Sequence, residues 1–257
     1  MKKNRNPLSF FSGARFLAGL LLALSLAACA PARPVMGGVG RDPYAAPDTD
    51  GNTAEESGIT ICVDPGHGFE DIGTDSELLG TFSEKDITLS IALSLRDFLE
   101  EKGFQVVLTH DGQSFPKTDI DDGNRLFNPK ERISYVQTLK IDYFVSIHCD
   151  SYESDDSVQG TRVYYSAGTD FVKKSGQAAN QIQSSINQKF PLSKKAVVRE
   201  MEYDGAYYVI RTAPVPSSLI EVGFVTNPTD AQNMLDEDWR TDMAAAIADG
   251  ISRFFAD

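Results

Sequence analysis

The sequence predicts an α/β fold: a single domain whose mostly parallel, twisted sheet is flanked by helices on both faces. Three observations carry this expectation. Strand-like apolar runs alternate with helically periodic segments along residues 59–255. Three of the apolar runs lead directly into chemistry-bearing residues, His67, His148 and Glu221, and the carboxyl edge of a parallel sheet is where such folds place ligands. The chain has 257 residues, 41% of them hydrophobic, which suffices for one sizeable core with a short appendage.

The elements follow in order. Ile59-Thr60-Ile61-Cys62-Val63 reads as the first strand, running into Asp64-Pro65-Gly66-His67. Ser83-Glu84-Lys85-Asp86 has the form of a capping box and opens a helix over about 84–102, with Ile87, Ile91, Leu95 and Leu99 on one face and Gly103 as its stop. Residues 104–109 form the second strand, and a loop rich in Asp, Gly and Pro leads to a helix over about 129–139. The strand ending on His148 follows, then a strand over 161–165 and a long helix over 171–190. Further strands are expected at 207–210 and 218–222, and a last helix at about 239–255. There is no internal repeat and no second domain.

The N-terminus is set apart from this domain. Lys2, Lys3, Arg5 and Arg15 precede a short apolar stretch from Phe16 to Leu24, and Leu26-Ala27-Ala28-Cys29 follows. This reads as a secretory signal over 1–28 ending in a lipobox, with lipidation at Cys29; an ordinary cleaved signal is the alternative. Residues 29–57, rich in Pro, Gly, Ala and Asp, read as the lipidated cysteine and a flexible tether, and 58–257 as the folded domain. Cleavage would remove four of the 24 basic residues and none of the 37 acidic ones, taking the formal charge from −13 to −17. Such a charge argues against nucleic acid and against electrostatic binding to anionic lipid.

Two of the three histidines sit at matching strand ends, and Glu84, in the first turn of a helix that starts at the same sheet edge, would face them. Two imidazoles and a carboxylate are the protein ligands of a catalytic zinc that keeps one position for water. Glu221 is left as the proton-handling group. Each residue has a blander reading: a lone histidine is usually structural, and Glu84 alone would complement a helix dipole. Asp64 is a partner that orients a ligand or a strand-end turn former. His110 reads as ordinary surface. Arg211 contacts substrate or pairs with the acidic surface, and Tyr203, Tyr207 and Tyr208 line a groove or simply pack. Cys62 and Cys149 lie in buried runs and read as free thiols, with a disulfide as the alternative. No Gly-x-Ser-x-Gly stands at a strand-to-helix turn, which speaks against a serine hydrolase.

Taken together, these residues resemble the zinc-dependent N-acetylmuramoyl-L-alanine amidases of the Amidase_3 type, over nearly everything from Ile59 to Phe255. The family's Asp-x-Gly-His-Gly-Gly-x-Asp-x-Gly motif is matched from Asp64 to Gly73, its Glu-Lys helix start by Glu84-Lys85, and its Ser-x-His strand end by Ser146-Ile147-His148. Its Glu-x-Gly-Phe-x-x-Asn segment is matched from Glu221 to Asn227. The resemblance implies one zinc ion held by His67, Glu84 and His148, Glu221 as the catalytic glutamate, and peptidoglycan as substrate, cut between N-acetylmuramic acid and the L-alanine of the stem peptide. Three positions depart from the pattern: Phe69 replaces a glycine, His110 replaces an arginine after Thr109, and Asp150 replaces an asparagine two residues after His148. Asp64, Asp150 and Arg211 are the further site candidates.

Only the short polar stretch 150–159 follows His148, where some family members carry a long occluding insertion, so no activator protein is expected. The expected location is the bacterial cell envelope, periplasmic and lipid-anchored through Cys29, with Ala30 after the cysteine pointing to the outer membrane. Two other function classes stay open: another envelope zinc peptidase or carboxypeptidase, and a non-catalytic peptidoglycan-binding lipoprotein.

Overall fold

Six strands form one sheet in the order β2-β1-β3-β6-β4-β5. They are β1 (Thr60–Pro65), β2 (Gln105–Leu108), β3 (Tyr143–Asp150), β4 (Arg162–Ser166), β5 (Val197–Met201) and β6 (Ser217–Phe224). The computed structural model describes residues 58–114, 128–191 and 193–256. The expected signal peptide 1–28, the lipidation site Cys29 and the tether 29–57 lie outside the described residues. All neighbouring strands run parallel except β4 and β6, which are antiparallel. The expected mostly parallel α/β domain is therefore what forms.

Alternation along the central strands divides the core between the two faces. Ile61, Val63, Val145, Ile147, Cys149 and Ile220 join a large cluster with Ile87, Ile91 and Leu95 of α1 (Glu84–Glu101), Ala178 and Ile182 of α3 (Val172–Lys189), and Ala244, Ile247 and Ile251 of α6 (Glu237–Ala256). Ala231 and Met234 of α5 (Pro228–Leu235) complete that layer. Cys62, Phe144, Tyr164 and Leu219 face the other way, against Ile133 and Val136 of α2 (Pro129–Val136) and Val209 and Ile210 of α4 (Tyr208–Thr212). Cys62 and Cys149 thus belong to opposite faces, and both are free and buried.

Helices α3 and α6 touch so closely that a Cβ added at Gly250 would lie 2.4 Å from Ile182 Cα, a backbone atom that cannot step aside. Gly250→Ala is therefore expected to lose about 1–3 kcal/mol through overpacking, despite alanine's better helix propensity. A thermal melt that is unchanged or raised would contradict this packing.

One expectation needs correction, and two elements, β5 and α5, go beyond the expected ones. Residues 207–210 do not form a strand: Tyr207 is the N-cap of the short helix α4, which starts at Tyr208. Tyr-Tyr-Val-Ile favours extended structure, but β4 is already flanked by β6 and β5, so no sheet edge remains there to pair with. That edge belongs to β5, whose half-exposed Val-Val-Arg-Glu-Met carries too little alternation to announce a strand. Helix α5 was also unanticipated, although Asn227 caps it through Thr229 N and Asp230 N, both at 3.0 Å, and Pro228 opens its first turn.

Candidate metal centre

The chain delivers three donor groups to the carboxyl edge of the sheet from three different elements. Beyond the end of β1, Gly66 N donates to Ile147 O at 2.8 Å and draws the chain across β3 before His67. Only glycine allows this approach, since a Cβ at position 66 would lie 2.4 Å from His148 Cε1. His148 lies in β3 itself, and Glu84 is the first residue of α1. The helix start is fixed by its cap, with Asp86 Oδ2 accepting the Ser83 N–H at 2.8 Å.

Glu84 is buried and forms the centre of the group. His67 Nε2 lies 3.2 Å from its Oε2 and His148 Nδ1 lies 3.0 Å from its Oε1. Thr74 N and Cys149 N donate to the same two oxygens at 2.7 and 2.9 Å. Burial pushes the Glu84 carboxyl up, but the hydrogen bonds to His148 and His67 outweigh it and hold the group well below the usual carboxylate range. His67 loses some basicity to burial and regains more from Glu84 and Asp71, so its imidazole ends above its ordinary value.

The donor set fits a metal ion. One ligand-capable atom from each of His67, Glu84 and His148 lies within 4.8 Å of the others. Tetrahedral zinc with bonds of ~2.0–2.2 Å needs neighbouring donors ~3.3–3.6 Å apart, close to the 3.0 and 3.2 Å separations across Glu84. The two imidazole rings stand edge to face, with centroids 5.0 Å apart. His67 Nδ1 meets Asp71 Oδ2 at 2.8 Å, and Asp71 Oδ1 accepts Gly73 N at 3.1 Å. A carboxylate can only accept from the ring, so this contact keeps a proton on Nδ1 and makes Nε2, which meets Glu84 Oε2 at 3.2 Å, the nitrogen that could give up its proton for a metal ion.

Glu221 lies beside this group. It pairs in register with His148 across the parallel strands β3 and β6. It is 4% exposed, and its Oε2 has no hydrogen-bond partner among the described residues. Burial first, then the charges of Asp150 and Glu84, push its carboxyl well above the ordinary range, against the opposing pull of Tyr207 and Arg162. The arrangement thus juxtaposes three side chains that could hold a metal ion with a carboxyl whose proton affinity is raised.

The remaining candidates lie around this group rather than in it. Asp64 is fully buried beneath the site, accepting Thr109 Oγ1 and Ser146 Oγ at 2.6 Å each and pairing with Arg132 Nη1 at 3.2 Å. It therefore anchors the strand ends and the buried Arg132, which neither sequence reading of Asp64 anticipated. Asp150 pairs with Arg162 at 3.3 Å, and that guanidinium lies 4.4 Å from the Phe224 ring centroid. Arg211, on α4, lies 5.8 and 5.6 Å from the Tyr203 and Tyr208 ring centroids, a cation–π setting. His110 is not surface: it is 1% exposed, and burial holds its imidazole below its ordinary value.

Sequence reasoning missed Asp71, Arg132 and Arg162 as neighbours of the site, and named Tyr207 only as a groove or packing residue. Asp71 alone left a signal, standing four residues after His67 within the matched motif. The others arrive through tertiary packing.

Known proteins resemble this chain over most of the described residues. The family model described as "Amidase_3: N-acetylmuramoyl-L-alanine amidase" matches residues 61–253. A probable cell wall amidase of Staphylococcus epidermidis, LytH, is 30% identical over 199 residues, 77% of this chain and 59% of the relative. The Staphylococcus aureus protein of the same name is 30% identical over 208 residues, 80% of this chain and 62% of the relative. The chain thus spans about three fifths of the length of these curated relatives. Among solved structures, the amidase AmiC2 of Nostoc punctiforme aligns with a TM-score of 0.64 at 29% identity, covering 77% of this chain and 98% of that one. CwlD of Clostridioides difficile, solved in complex with the GerS lipoprotein, aligns with a TM-score of 0.65 at 27% identity, covering 77% and 98%.

Proposed function

The chain belongs to the Amidase_3 family of N-acetylmuramoyl-L-alanine amidases, and from that membership we propose that it hydrolyses the amide between N-acetylmuramic acid and the L-alanine of the stem peptide in peptidoglycan, using one zinc ion. The observation that carries the reading is the convergence of His67, Glu84 and His148 within 4.8 Å, with Glu221 in register beside His148.

His67, Glu84 and His148 would hold the zinc. When bound, the ion would polarise the scissile carbonyl and bring the pKa of a coordinated water towards roughly 7. Glu221 accepts the proton of the attacking water and returns it to the departing L-alanine amine. Its buried setting suits both steps, because a carboxyl with a raised pKa holds a proton long enough to pass it on. Asp71 keeps His67 in the tautomer that presents Nε2. Glu84, kept ionised by its hydrogen bonds, supplies the negative charge that complements the cation.

Labelling of new amino groups after digestion of purified peptidoglycan tests the choice of bond. L-alanine as the new N-terminus is the expected result. New termini within the stem peptide, with the L-alanine amide intact, would assign the site to a peptidase instead.

The reading extends to regulation and location. Among the described residues no helix lies between β3 and β4, and His67 and His148 keep 25% and 14% of their side-chain surface exposed. These features support an enzyme that acts without an activator protein. Zinc-loaded, folded protein is expected to cleave peptidoglycan alone, and a strict requirement for a partner would overturn this. Anchoring through Cys29 in the periplasmic leaflet of the outer membrane belongs to the same proposal; metabolic labelling with a fatty acid, lost in Cys29→Ser, would test it.

A further inference from the structure

The loop that presents His67 holds a backbone that side chains disfavour. His67 and Phe69 have φ of 64° and 57°, although neither is glycine. Such a conformation persists only where its surroundings impose it, and the contacts that do so come from residues the proposed chemistry does not use.

Below the loop, the Pro65 carbonyl accepts two hydrogen bonds, from Arg132 Nη1 at 3.0 Å and His110 Nε2 at 3.0 Å. The next carbonyl, of Gly66, accepts Thr88 Oγ1 at 2.7 Å. Arg132 is tied down by Asp64, itself held by Thr109 and Ser146. Above the loop, Lys85 Nζ donates to Phe69 O at 2.6 Å.

One imidazole spans both levels. Gly112 N reaches His110 Nδ1 at 3.3 Å while Nε2 faces the Pro65 carbonyl. An N–H can only donate and a carbonyl can only accept, so His110 is the neutral tautomer protonated on Nε2. Its ring lies 5.7 Å, centroid to centroid, from the Phe69 ring. It also lies directly against Gly68, where an added Cβ would stand 2.8 Å from His110 Cε1. His110 therefore touches the loop before and after His67. Phe69 and His110, two of the three departures from the family pattern, meet each other in space.

We infer that His110 and Arg132 are positioning residues that clamp the 65–69 loop in its strained form, with the Phe69–His110 contact as the upper latch, so that His67 is preset for zinc. The inference rests on the reading of His67 as a ligand. A ligand fixed before the ion arrives binds more tightly than one that must be ordered, and removing supports of this kind typically costs ~10–100-fold in metal affinity.

The test is zinc affinity, measured on the full chain by competition with a chromophoric chelator, alongside the melting temperature of the metal-free protein. His110→Ala and Phe69→Ala, which keeps a side chain on the strained backbone but removes the ring contact, are each expected to weaken zinc by ~10–100-fold, a loss larger than any fall in the metal-free melting temperature accounts for. His110→Gln, whose amide can still donate to the Pro65 carbonyl, is expected to recover part of the loss. Parental affinity in either folded variant would overturn the inference, as would a loss of affinity that only tracks a fall in melting temperature. If His110→Ala does not fold, Phe69→Ala decides alone. A parent protein that binds no zinc would remove the ligand role of His67 and the inference with it.

Discussion

Replacing Glu221 by glutamine is expected to lower kcat by about 10²–10⁴-fold while zinc stays bound. The glutamine side chain fills the same volume but cannot accept the proton of water or return one to the leaving amine. A second consequence separates this variant from simple damage. In the folded, metal-free protein the Glu221 carboxyl is held well above its usual value of 4.5, so folding takes up a proton at any pH between the unfolded and folded values. Stability contributed by this group is complete below about 4.5 and is lost as the pH rises through the folded value. Glutamine removes that loss, so the metal-free variant should melt higher than the parent at neutral pH. A variant that keeps most of its turnover, or that melts lower at neutral pH, would contradict the role and the burial together.

Glu84→Ala should have the larger structural effect. It removes the only carboxylate that receives His67, His148, Thr74 N and Cys149 N at once. Each buried donor left unpaired costs about 1–3 kcal/mol, so the metal-free protein should lose stability as well as zinc. Glu84→Gln keeps an acceptor for one N–H while removing the charge, so it should lie nearer the parent in stability yet still bind zinc poorly. Chelator competition and thermal melts of both metal-free variants check this. Equal zinc affinity in parent and Glu84→Ala would exclude Glu84 as a ligand.

Much of the site was legible because its residues lie where strands and a helix begin or end. His148 and Glu221 occupy strand positions that the apolar runs before them mark directly, and the Ser83–Asp86 cap fixed the helix turn that carries Glu84. What the sequence hid was the layer behind the ligands. His110 read as surface because it follows a strand and precedes Asp-Gly, whereas the loop after β1 folds back over it and buries it. Arg132 and Asp64 are 67 and 45 residues from the carbonyl and the threonine hydroxyl they bind, a separation that periodicity cannot bridge. The 207–210 segment was misread because local β propensity carries no information about whether a sheet edge is free.

A single zinc ion held by His67, Glu84 and His148 is proposed to drive cleavage of the amide at L-alanine. The most direct measurement titrates zinc into metal-free protein while mass spectrometry follows the release of stem peptides with free L-alanine termini from purified peptidoglycan. Release that is absent without metal, rises with occupancy and levels off at one ion per chain is the predicted result. Release that proceeds undiminished in the metal-free protein, or zinc bound at one per chain with the amide left intact, would contradict it.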